Sequence, residues 1–129
     1  MSININTGLI EFFGIEEVSR TDDTLVMKMP VTERIKQPVG YVHGGAYVTL
    51  AETVASLGAF YSIDLDKYLA FGQEINANHV RATREGVLYA YGKAMHKGRT
   101  SQVWIVDIKN EQDQLVCTSR CTVAITKKR

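Results

Sequence analysis

Tyr41-Val42-His43-Gly44-Gly45-Ala46-Tyr47-Val48-Thr49-Leu50-Ala51-Glu52-Thr53-Val54-Ala55-Ser56-Leu57-Gly58-Ala59-Phe60-Tyr61-Ser62 decides how the rest of the chain is read. After Gly45 it is rich in Ala and Leu and free of proline. Its apolar and small residues fall on nearly every side, the pattern of a helix buried all round. The stretch carries one charge, Glu52. A lone carboxylate on such a helix is costly to desolvate, so it needs partners, a raised pKa or a catalytic task. Thr49, Thr53 and Ser56 are small hydroxyls that a helix can bond back to its own carbonyls. His43-Gly44-Gly45 opens the helix with two residues lacking Cβ, so backbone N–H groups can meet an electron-rich ligand at the positive end of the helix dipole.

Working outward, residues 33 to 42 contain Gln37-Pro38-Val39-Gly40 and read as a loop that delivers the chain into the helix. Upstream of it, Leu25, Met27, Met29 and Val31 alternate with Lys28, Pro30 and Thr32, which predicts a strand from Thr24 with one wet face. Residues 6 to 13 fit a short helix with Asn6 or Thr7 as cap and Leu9, Ile10, Phe12 and Phe13 as packing residues. Downstream, Asp64-Leu65-Asp66-Lys67 is a polar break. The remainder reads as four strands, at about 69 to 83, 87 to 97, 100 to 110 and 114 to 126. Arg84-Glu85-Gly86, Lys97-Gly98-Arg99 and Gln112-Asp113-Gln114 are their turns, and turns this short imply antiparallel neighbours. Leu88, Ala90, Gly92 and Ala94 make a face of mostly small residues, suited to a sheet curling close around a helix.

The 129 residues suit a single domain, 1–129, whose central helix needs a partner subunit to be covered completely. A formal net charge of +1 provides no general field for nucleic acid. Cys117 and Cys121 fall on one face of a strand about 13 Å apart at about 3.3 Å per residue, too far for a mutual disulfide, so reduced intracellular thiols are expected. No leader pattern stands at the N-terminus, and the apolar helix is shorter than the ~20 residues a membrane span needs. A cytoplasmic protein without membrane partners is the expectation. His43, His79 and His96 lack metal-ligand spacing, so no metal is expected.

The order strand, His-Gly-Gly loop, helix with a carboxylate nine residues after the His, then four strands, resembles the hotdog-fold thioesterases. It is similar in particular to the phenylacetate-pathway and 4-hydroxybenzoyl-CoA type, whose reacting group is a helix carboxylate. Gln37-Pro38-Val39-Gly40-Tyr41-Val42-His43-Gly44-Gly45-Ala46 with Leu50-Ala51-Glu52-Thr53 and Ser56 looks like the branch that hydrolyses 1,4-dihydroxy-2-naphthoyl-CoA in menaquinone synthesis. That branch includes the proofreading thioesterase of aryl siderophore synthesis. Glu74 to Arg81 and His96 to Thr100 continue the likeness.

The resemblance implies an α+β hotdog fold, an antiparallel sheet wrapped around one long helix, and hydrolysis of an aromatic acyl-CoA. It makes Glu52 the nucleophile or general base, with Gly44 N–H and Gln37 polarising the thioester carbonyl and His43 and Ser56 near the reacting centre. It places pantetheine and nucleotide contacts on Phe71, on Asn78, His79, Val80 and Arg81, and on Met95, His96, Lys97, Gly98, Arg99 and Thr100. No cofactor is implied, since CoA is part of the substrate. On the residues alone, Glu52 reads equally as a structural carboxylate, His79 as a strand histidine, and Arg81, Arg84, Lys97 and Arg99 as turn decoration. Housekeeping hydrolysis of aryl or medium-chain groups from carrier protein or CoA, and non-catalytic acyl-CoA binding, are the other functions open to such a chain.

Gly44 and Glu52 are eight residues apart, about 12 Å along a helix, whereas an attacking group must come within about 3 to 3.5 Å of the polarised carbonyl. Two helices antiparallel about a two-fold axis would set each Glu52 beside the other chain's Gly44. A dimer with shared sites is therefore the minimum expectation, and a homotetramer of paired dimers the fuller one.

Overall fold

The computed structural model describes residues 3–129. Helix α1 (Gly8–Phe13) leads into β1 (Glu16–Arg20) and β2 (Thr24–Pro30). A 3-10 turn (Glu33–Ile35) and a loop then deliver the long helix α2 (Gly44–Tyr61), which is followed by β3 (Tyr68–His79), β4 (Val87–Lys97), β5 (Ser101–Lys109) and β6 (Leu115–Lys127). The strands form one antiparallel sheet in the order β1-β2-β4-β5-β6-β3.

The sheet wraps α2 because its inward residues are large at the centre and small where the helix comes close. Leu25, Met27 and Met29 of β2 are fully buried, as the alternation predicts. On β4, a Cβ added to Gly92 would overlap Val54 of the helix and stand 3.2 Å from the Leu25 carbonyl oxygen, so the small-residue face does what its composition anticipates. Gly58 plays the same part on the helix, where an added Cβ would lie 2.5 Å from the Trp104 ring. Trp104 donates its indole N–H to Gln102 Oε1 (2.9 Å), and Gln102 Nε2 donates to Ser62 Oγ (2.9 Å). That chain of bonds satisfies a buried polar group while tying the end of α2 to β5. Cys117 and Cys121 are free and buried.

Three expectations are corrected and one element is added. First, α2 is not buried all round. Ala46, Tyr47, Leu50, Ala51, Val54, Ala55, Gly58 and Ala59 make a continuous buried stripe, while Val48, Thr49, Glu52, Thr53, Ser56, Leu57 and Phe60 remain half-exposed. Second, β3 stops at His79, and β3 and β4 are not neighbours. β6 pairs with β3, and β4 lies between β2 and β5. Residues 80 to 86 cross the start of α2 instead, with Thr83 O accepting from Val42 N–H (2.9 Å) and Gly86 O from Val31 N–H (2.9 Å). The Arg84-Glu85-Gly86 turn is genuine, with Gly86 at φ 97, but it closes on the end of β2. Third, β1 is a strand that the sequence pattern does not announce, because all five of its residues are exposed. Fourth, only Ile10 and Phe13 of α1 pack on the core, while Leu9 and Phe12 are more than half exposed and Thr7 makes no side-chain cap.

Candidate active site

The loop before α2 is held by its own backbone. Gln37 N–H donates to Tyr41 O (2.8 Å) and Gly40 N–H to Gln37 O (2.9 Å), with Gly40 at φ 97, where a side chain would be strained. His43 N–H donates to Ile35 O (2.8 Å), fixing the point at which the helix begins. Within this turn Gln37 Oε1 accepts from Val39 N–H, so the side-chain NH₂ is the group left to face a ligand.

His43 is the N-cap. Its Nδ1 accepts from Gly45 N–H (2.8 Å), which puts the ring proton on Nε2. The Gly44 N–H has no hydrogen-bond partner among the described residues. His79, at the end of β3, lies over Gly44: a Cβ there would stand 3.1 Å from His79 Nε2. The His79 ring stacks on Tyr47, with centroids 5.1 Å apart and planes at 31°. Gln37, Tyr41, Gly44, Tyr47, His79, Val80 and Arg81 share a cavity of about 370 Å³. The Tyr47 hydroxyl is buried against Thr83, and burial raises its pKa.

Glu52 opens into a separate pocket of about 300 Å³ lined by Leu9, Ile10, Thr49, Ser56 and Leu57. The neighbouring hydroxyls are turned back on the helix, Thr49 Oγ1 to Gly45 O (2.9 Å) and Thr53 Oγ1 to Thr49 O (2.6 Å), so their protons are not donated to the carboxylate. The Cys121 thiol beneath is pushed up to about 12, first by burial and then by the Glu52 and Glu74 carboxylates. Cys117 is raised to about 11 by burial and by Asp107. Neither thiol is a nucleophile at neutral pH.

Of the residues singled out in the sequence, the fold brings Gln37, Gly44, His79, Val80 and Arg81 together in one cavity and Glu52 with Ser56 in another. His43 lines neither and serves as the N-cap of α2. Met95 to Thr100 are not joined to either. Met95 bulges between Ala94 and His96, and Gly98 closes the β4–β5 turn through Ser101 O (2.8 Å). Lys97 pairs with Asp23 (2.8 Å) and also donates to the Asp22 carbonyl. This turn borders a third cavity, about 670 Å³, shared with Arg20, Gly58 and Tyr61. Gly58 is fourteen residues beyond Gly44, about 21 Å along the helix. Phe71 and Asn78 are exposed on the edge strand β3.

Three contributors went unnoticed in the sequence. Tyr47 lines the Gly44 cavity as well as the core, and Leu9 and Ile10 reach across from α1 to the Glu52 pocket. No periodic signal marks these residues for a site. Among the described residues no cluster of three His, Cys, Asp or Glu could hold a metal, and no helix is long and apolar enough to cross a membrane.

Residues 39–117 match the sequence profile of the thioesterase superfamily. The chain is 48% identical over 122 residues to the 1,4-dihydroxy-2-naphthoyl-CoA hydrolase of Listeria monocytogenes serotype 1/2a (strain 10403S), covering 95% of this chain and 98% of the relative. It is 42% identical to the proofreading thioesterase EntH of Cronobacter turicensis, over 91% of this chain and 85% of that protein. A thioesterase of Staphylococcus aureus subsp. aureus Mu50, solved as a glutamine-to-alanine variant, superposes with a TM-score of 0.91 at 41% identity, over 93% of this chain and 99% of the other.

Proposed function

The chain belongs to the thioesterase superfamily, a hotdog-fold thioester hydrolase, and we propose that its substrate is an aromatic acyl-CoA, 1,4-dihydroxy-2-naphthoyl-CoA first among them, as in menaquinone biosynthesis. The observation that carries this reading is the Gly44 N–H at the start of α2, without a hydrogen-bond partner among the described residues, in one cavity with Gln37 and His79 and on the same helix as Glu52, which lines a pocket of its own.

In this reading the thioester oxygen accepts from Gly44 N–H and from the Gln37 amide, where the helix dipole adds to the pull on developing negative charge. Glu52 works on the carbonyl carbon from the other side. If it attacks directly, the C–S bond breaks, CoA leaves as thiolate and water then cleaves the mixed anhydride. If it acts as base, it takes a proton from water during attack and passes it to the departing thiolate. In single-turnover hydrolysis in ¹⁸O-water, label in the Glu52 carboxylate identifies direct attack, with water opening the anhydride at the Glu52 carbonyl carbon. No metal or further cofactor enters either route.

The ~12 Å between Gly44 and Glu52 supports sites shared across a two-fold axis, each built from one chain's Gly44 and the partner chain's Glu52. The same antiparallel arrangement would bring the partner's β4–β5 turn, with Lys97 and Arg99, toward the substrate's nucleotide end. We extend this to a cytoplasmic homotetramer of paired dimers. Co-expressed Glu52→Ala and Gln37→Ala chains test the sharing. Mixed dimers carry one intact site and regain activity, whereas inactivity of the mixture counts against shared sites.

The likeness to the proofreading thioesterase favours a second reading, hydrolysis of aryl groups from a carrier protein. A panel of benzoyl-, naphthoyl-, phenylacetyl- and straight-chain acyl-CoA decides between them. The first reading expects an aromatic CoA thioester to lead by kcat/KM. Wild type inert on the whole panel, yet binding it, passes the function to carrier-protein substrates or to binding alone.

A further inference from the structure

Strand β3 changes the face it turns to the helix partway along its length. Tyr68, Ala70 and Gly72 face inward before the irregularity, and Ile75, Ala77 and His79 after it. The switch is a bulge: Gly72 pairs with Val123 and Glu74 with Thr122, which leaves Gln73 as an extra residue. Because of that one residue the same strand presents Gly72 to Glu52 and, seven residues on, His79 to Gly44.

Gly72 lies directly against the Glu52 side chain. A Cβ built on it would overlap Glu52 Oε2 and stand 3.0 Å from Cδ and 3.2 Å from Cγ, and these three atoms are its nearest neighbours. The Gly72 backbone is outside the left-handed region, so an L side chain is allowed there. What the glycine contributes is therefore the missing methyl, not its dihedral freedom.

We infer that Gly72, the last inward-facing residue before the bulge at Gln73, is a positioning residue for the Glu52 carboxylate, leaving open the volume that the carboxylate fills. This rests on Glu52 being the group that works on the thioester carbonyl. The collision at position 72 involves only the far end of a flexible side chain, so alanine there leaves the fold intact while forcing the carboxylate to swing away. A displacement of about 1 Å from a reacting centre costs up to ~10²-fold in rate.

The test measures kcat, KM and the urea midpoint for Gly72→Ala, Glu52→Gln, Glu52→Asp and the double variant Glu52→Asp/Gly72→Ala. Gly72→Ala is expected to lower kcat by about 10- to 100-fold with KM and midpoint close to wild type. In the Glu52→Asp background the same change alters kcat by no more than about twofold, because the shorter side chain has no atom at the Oε2 position that the added methyl overlaps. A normal kcat for Gly72→Ala beside an inactive Glu52→Gln overturns the positioning role and leaves the Glu52 reading standing. Full activity in Glu52→Gln overturns the reading on which it rests. An equal fall in both backgrounds, or a crystal structure of Gly72→Ala with the carboxylate unmoved, assigns Gly72 to structure alone and also overturns the inference.

Discussion

At the N-terminal end of α2 the candidate chemistry is offered mainly by backbone: the Gly44 N–H, a cap on Gly45, and a loop pinned by main-chain bonds around Gln37 and Tyr41. Two turns further along the same helix it is offered by one side chain, Glu52, in a pocket closed by α1 and β3. The first region is rigid because its atoms belong to the chain path. The second holds its geometry only as well as its neighbours confine a flexible carboxylate. Damage to the two should therefore differ in kind, with charge and reach deciding the carboxylate side and donor geometry the other.

The largest effect should come from Glu52→Gln, which keeps the shape and removes the charge. We expect kcat to fall by about 10³- to 10⁴-fold with the far-UV circular dichroism unchanged, and near-normal turnover would remove the carboxylate from the comparison. Gln37→Ala removes one of two donors, so a loss of about 10²-fold in kcat is expected, with Gly44 supplying the remainder. Should the two variants lose equally, the backbone donor contributes nothing separable.

Gly58→Ala lies outside both regions, against Trp104. It should cost about 1 to 3 kcal/mol of stability in urea titrations through overpacking and leave kcat at permissive temperature unchanged. His43→Ala should cost about 1 kcal/mol, and His43→Asn should restore most of it if capping is the role; a restored stability with lost turnover would move His43 from the frame of the site into its chemistry. The smallest effect concerns the thiols. Burial raises Cys117 to about 11 and Cys121 to about 12, so the unfolded chain releases their protons first, from the ordinary thiol range near 9 upward. Their contribution is complete below pH 9 and lost as pH rises toward 11 to 12. Cys121→Ala should flatten the alkaline limb of the stability curve, measured by urea unfolding from pH 8 to 11.

Much of this was written in local pattern. The alternation of β2, the small-residue face of β4 and the His-Gly-Gly entry to α2 all express a burial requirement or a backbone requirement that adjacent residues reveal. β1 escaped notice because no residue of it is buried, so no apolar period marks it. The β3–β4 crossing was misread because a Gly-containing turn looks the same whichever strand it closes upon. The outward face of α2 keeps Val48, Leu57 and Phe60 half-exposed, so composition suggested a burial that one chain does not provide. The partnership of Gly72 with Glu52 joins residues twenty positions apart, and nothing near either one announces the other.

The bulge at Gln73 has a consequence for anyone who scans β3 by saturation mutagenesis. The tolerance map of this strand should break step at residue 73, with sensitive positions even-numbered before it and odd-numbered after it. A one-residue deletion there would take out the surplus residue and leave plain alternation, so Ile75, Ala77 and His79 would keep their inward face while the strand lost the kink that the bulge gives it.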